Sequence, residues 1–122
     1  MAAVAAGCGA VGRVTSGDAA AGKQLFVKTC GGCHTLKDAG TTGATGPNLD
    51  DAFAGAKSPN FASKDTEQTI RDVVRGQIAY AEADPGTNHP GMPPDLLRGQ
   101  DAKNVAAYVA RCAAVPNCRV GG

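Results

Sequence analysis

Cys30-Gly31-Gly32-Cys33-His34 sets two thiols three residues apart, with an imidazole directly after the second. A C-x-x-C-H run reads as an attachment site for a c-type haem. The spacing has a physical reason, because residues i, i+3 and i+4 share one face of a helix. Two thiols so placed can each form a thioether with one haem vinyl group, and the next residue sets an imidazole under the iron. Gly31 and Gly32 are expected to let the backbone pass close to the porphyrin. Two other chemistries compete for the same residues. A structural zinc site needs a second pair of ligands at short spacing, and Cys112 and Cys118 have five residues between them. A redox dithiol of the thioredoxin type needs a βαβ setting, whereas here a helical pattern precedes the motif.

That pattern gives a first helix from Asp18 to Cys30. Ser16 or Asp18 caps it, and Gly22, Leu25, Phe26 and Thr29 recur at helical spacing. Gly31-Gly32 ends it. Thr35–Ser63, with Gly40, Gly43, Gly46, Pro47 and Pro59, reads as a loop, and a loop of that length tends to be functional. Asp65-Thr66-Glu67-Gln68 has the form of a capping box. It opens a second helix with Ile70, Val73, Val74 and Ile78 on one face. Tyr80–Pro94 is irregular again, and a last helix is expected over Asp101–Ala113 with Val105, Tyr108, Val109 and Cys112 in register. No alternating strand pattern is seen. The chain therefore reads as all-α, with three main helices and long loops.

Composition poses a problem that the motif answers. Of 122 residues, 52 are apolar, but 23 of those are Ala, and Leu, Ile, Val and Phe together number only 20. So few large side chains suggest disorder when net charge is high, yet the formal net charge is +1. A cofactor filling the core resolves the conflict, and without it the chain should be largely unfolded. No apolar run reaches the roughly 18–20 residues that span a bilayer. The even spread of charge gives no basic stripe for nucleic acid.

Residues 1–17 read as a flexible tail, and residues 18–122 as the folded domain. Within the tail, Val4-Ala5-Ala6-Gly7-Cys8 resembles a bacterial lipobox, which would make Cys8 a membrane tether in the parent protein. The alternative is a free thiol.

An iron held by one histidine has a sixth position to fill. Met92 lies 58 residues beyond His34 in Gly91-Met92-Pro93-Pro94, and the only other methionine is Met1. The prolines fix φ and stiffen the backbone, so that the thioether can be held against the metal. His89 is the competing ligand.

Taken together, Cys30–His34, Gly46-Pro47-Asn48-Leu49, Met92-Pro93 and a terminal helix bearing Tyr108 resemble the class I (mono-haem) c-type cytochromes of bacteria, over about Gly17 to Ala114. The resemblance implies a small helical fold wrapped around one covalent haem c. It implies His34 and Met92 as the iron ligands, Cys30 and Cys33 as the attachment points, and Pro47 and Leu49 as further cofactor-binding residues. The Pro47 carbonyl is the expected acceptor of the His34 N–H, in keeping with the rule that a ligating histidine donates its other N–H. Gly22 and Phe26 are expected to face Val105 and Tyr108 where the first and last helices cross. Two features depart from the family. Gln77–His89 is long, which leaves the propionate contacts open, with Arg75 and Tyr80 as possible donors. Cys112 and Cys118 are an addition. Pro116 lets the chain turn back between them, and covalent haem implies an extracytoplasmic compartment where disulfides persist. A bridge there would contribute about 2 kcal/mol; two free thiols are the alternative.

The function implied is single-electron transfer between protein partners by a monomer, and not an enzyme. The alternative is a haem enzyme or gas sensor whose Met92 is labile or not a ligand. Lys28, Lys37, Lys57 and Lys64 could form a basic rim, or be scattered solvated charges.

Overall fold

The computed structural model describes residue 14 and residues 16–81 and 91–120. Cys8, most of the expected tail and His89 lie outside them. Among the described residues four α-helices run in the order α1 (Ala19–Leu25), α2 (Leu49–Ala54), α3 (Thr66–Ala79) and α4 (Gly99–Cys112). No helix among them is long and apolar enough to cross a membrane.

Asp18 caps α1, its side chain accepting from the Ala21 N–H at 3.1 Å. The helix does not stay α-helical up to the thiols. Phe26–Cys30 form a π turn, closed by the Gly31 N–H donating to the Phe26 carbonyl five residues back at 2.9 Å. Such a turn winds one residue more loosely than an α-helix.

α1 and α4 cross at the centre of the molecule. A Cβ at Gly22 would overlap the Asn104 carbonyl oxygen and lie 2.9 Å from the Tyr108 Cβ. One step along, the rings of Phe26 and Tyr108 meet at 5.8 Å and 60°, the tilted geometry aromatic pairs favour. Asn104 is buried, and its Oδ1 accepts from the Asp18 N–H at 2.9 Å and from Gln100 at 2.8 Å, so the start of α1 is tied to α4. α3 packs on the other side of α4, burying Ile70, Ile78 and Ala79.

Three expectations need correction. The stretch after His34 is not plain loop. It holds a ribbon of two two-residue strands, β1 (Thr35–Leu36) and β2 (Thr41–Thr42), paired antiparallel around a 3₁₀ turn at Lys37–Ala39, and then α2. Asn48 caps α2, accepting from the Asp50 and Asp51 N–H groups at 2.9 and 3.3 Å. The capping box at α3 does not form. Asp65 has helical rather than extended backbone angles and makes no side-chain cap bond, and the Gln68 side chain is engaged elsewhere, donating to the Val14 carbonyl at 2.7 Å and to Asp72 at 2.9 Å. The tail boundary also shifts. Val14 is buried, and its N–H donates to Asp72 at 2.7 Å, so the packed domain reaches back at least to that residue.

The chain leaves α4 by a tight turn in which Ala114 has φ +60°. A left-handed alanine costs roughly 1–2 kcal/mol and persists only where its surroundings hold it. Cys112 and Cys118 are joined there, with Cα atoms 5.3 Å apart. Lys57, one of the four rim lysines, is half-buried and donates to the Ala113 carbonyl at 2.6 Å. Desolvation by that burial lowers its pKa.

Candidate haem site

The π turn ends on Cys30, and the chain bends through Gly31 and Gly32 to Cys33 and His34. Cys30 is buried, Cys33 is exposed, and both thiols are free rather than bonded to each other. Burial, aided by the neighbouring Cys33, pushes the free Cys30 thiol up to about 11. The two glycines do different work. A Cβ at Gly31 would lie 2.5 Å from Cγ2 of Thr41, so this residue lets β2 approach, while Gly32 faces open space.

His34 is fixed from three directions. Its carbonyl accepts from the Thr41 hydroxyl at 2.8 Å. Its Nδ1 lies 2.8 Å from the Pro47 carbonyl oxygen. A carbonyl can only accept, so Nδ1 carries the proton and donates it. The ring also lies directly on the Gly46 backbone, where a Cβ would come 2.6 Å from Cε1 and 2.9 Å from Nδ1. The Gly46 N–H in turn donates to the Cys33 carbonyl at 2.7 Å. Gly46 and Thr41 are thus part of the site; Gly46 stands in the sequence only as a member of Gly46-Pro47-Asn48-Leu49, and nothing in the sequence marks Thr41. Among the described residues nothing engages Nε2, so the ring is held in a set orientation with that nitrogen unbonded.

Leu49 and Met92 are half-buried and pack against the central core, as do Phe53, Val74 and Leu97. These are apolar side chains that the protein alone leaves partly uncovered. Of the two candidate propionate donors, Tyr80 is exposed, whereas Arg75 has its Nη1 atom buried without a hydrogen-bond partner. Free thiols three apart, an oriented imidazole, unfinished apolar walls and an unsatisfied buried guanidinium nitrogen all fit a haem that is apolar in its body and anionic at one edge.

The fold and this site define a small helical protein built around one covalently held haem. A profile of the family described as Cytochrome c matches residues 19–112. A cytochrome c from Gossypium barbadense is 31% identical over 104 residues, which cover 76% of this chain and 88% of that one. The crystal structure of the c-type cytochrome SorU from Sinorhizobium meliloti shares the fold, with a TM-score of 0.56 at 24% identity, over 80% of this chain and 92% of that one. The chain belongs to the cytochrome c family, as a class I c-type cytochrome. Its cofactor is a covalently bound haem c, and its activity is haem-based electron transfer.

Proposed function

We propose that this cytochrome carries single electrons through a haem c bonded to Cys30 and Cys33, with its iron held between His34 and Met92. The observation that carries this reading is the 2.8 Å bond from His34 Nδ1–H to the Pro47 carbonyl. It fixes the tautomer and raises the basicity of Nε2, as is usual for a ligating histidine. The bound haem supplies a one-electron iron couple. Pro93 and Pro94 stiffen the backbone behind Met92, whose half-buried position against the core suits a ligand better than a solvated side chain. A thioether is a soft donor and favours the ferrous state, which raises the potential. With two protein ligands no coordination site is left for oxygen or substrate, so the protein acts as a carrier and not as an enzyme. The partners are redox proteins. A monomer in a bacterial extracytoplasmic chain, with Cys112–Cys118 oxidised and Cys8 as a membrane tether in the parent protein, completes the proposal.

Absorption spectra test the ligands. The oxidised protein should show the weak long-wavelength band of methionine-to-iron charge transfer. Met92→Ala should abolish that band, open the sixth position and lower the potential. If the wild type lacks the band and its reduced form binds carbon monoxide rapidly, the protein is a gas-binding haem protein or an enzyme instead.

A further inference from the structure

Asp50 lies in the first turn of α2, three residues beyond Pro47, and its two carboxylate oxygens reach in different directions. Oδ2 accepts from the Lys37 N–H at 2.8 Å, three residues past His34. Oδ1 accepts from the Ala114 N–H at 2.7 Å, in the turn that leads into the Cys112–Cys118 bridge. Bonds to an ionised acceptor are among the stronger hydrogen bonds. Lys57, on the same connection after α2, grips that turn a second time through the Ala113 carbonyl at 2.6 Å. The left-handed Ala114 is held by these contacts rather than by its own preference. The segment bearing the Pro47 carbonyl is therefore pinned on one side to the 3₁₀ turn that follows β1 and His34. On the other it is pinned to a turn closed by a disulfide.

We propose that Asp50 is a positioning residue for electron transfer: by locking α2 between Lys37 and Ala114 it sets the Pro47–His34 hydrogen bond, and through that bond the potential of the iron. The proposal rests on the reading of His34 as a ligand. A tight bond to Pro47 makes the imidazole a stronger donor and favours ferric iron, so loosening it should raise the potential. The Cys112–Cys118 bridge supports the same lock from its far end.

The test compares Asp50→Asn with Asp51→Asn in the haem-loaded protein. The second removes the same charge from the next residue, which is exposed and whose carboxylate has no partner among the described residues. Potentials are read by equilibration with redox mediators, and solvent exchange of the His34 ring N–H is followed by NMR in the ferrous state. Asp50→Asn should shift the potential upward beyond any shift in Asp51→Asn and speed the ring N–H exchange. The bridge-free variant Cys112→Ser/Cys118→Ser leaves the α2 sequence unchanged and provides a second perturbation. It should move both readouts the same way, and adding Asp50→Asn to it should give less than the sum of the two shifts. Equal potentials in Asp50→Asn and Asp51→Asn, or additive shifts in the combined variant, overturn the inference. Loss of the ligand bands in the wild type would instead overturn the ligation on which it rests.

Discussion

Tyr108 loses its whole side chain to the interior, yet its hydroxyl is not wasted. It donates to Asp38 Oδ2 at 2.6 Å, and Lys23 approaches the same oxygen at 3.2 Å. Burial, and then the bond to Asp38 and its charge, push the phenol well above its ordinary value of 10.0. The folded protein keeps this proton where the unfolded chain releases it. The stabilisation is complete below pH about 10 and is lost as pH rises above that point. Tyr108→Phe should cost about 1 kcal/mol at neutral pH, towards the low end of the range because Lys23 still pairs with Asp38. Its stability should also fall less steeply than that of the wild type as pH rises above about 10. Denaturant titrations followed by far-ultraviolet circular dichroism measure both. A wild type and variant with parallel pH profiles would remove Tyr108 as the cause.

Among the elements, the crossing of α1 and α4 is the least forgiving contact. Gly22→Ala places a methyl group into the Asn104 carbonyl, and backbone yields less readily than a side chain. The expected loss is about 2–4 kcal/mol, read by the same titration. This crossing was legible through the family resemblance, which sets Gly22 and Phe26 against Val105 and Tyr108, and the helices themselves through apolar residues at helical spacing. α3 and α4 were found within two residues for the same reason. β1, β2 and α2 escaped notice. Two-residue strands have no alternation to detect, and α2 is a six-residue helix whose signal is the single cap Asn48 between Pro47 and Leu49. The capping box misled because Asp65 keeps helical backbone angles, and because Gln68 is drawn to Asp72 one turn on and to Val14 far back along the chain. At the site, the pentapeptide and Pro47 could be recognised. The roles of Thr41, Gly46 and Asp50 could not, since each depends on the ribbon and α2 folding back against His34.

At the scale of the whole fold, few large side chains among the described residues are fully out of water: Tyr108, Phe26, Leu36, Ile70, Val105, Val109 and Cys112. Leu49, Phe53, Val74, Met92 and Leu97 lean on this core without closing over it. The many alanines allow helices to approach closely but bury little surface each. A porphyrin offers those half-covered residues an apolar plate to line. Cys30→Ala/Cys33→Ala, which cannot retain haem through thioethers, should therefore be largely unfolded once the haem is extracted. A native-like circular dichroism spectrum of the stripped variant would show that the side chains suffice by themselves.

The π turn at Phe26–Cys30 gives the haem motif an address as well as a sequence. Each residue of an α-helix advances the side chains by about 100°, so one residue wound differently re-aims everything that follows. The helix can present Gly22 and Phe26 to α4 and still deliver Cys30 in its own direction because the wider turn stands between them. Cys30–His34 moved onto a straight helix would keep its letters and lose its bearing. The portable unit of this protein is the longer stretch from Gly22 to His34, in which packing face and attachment site are phased against each other.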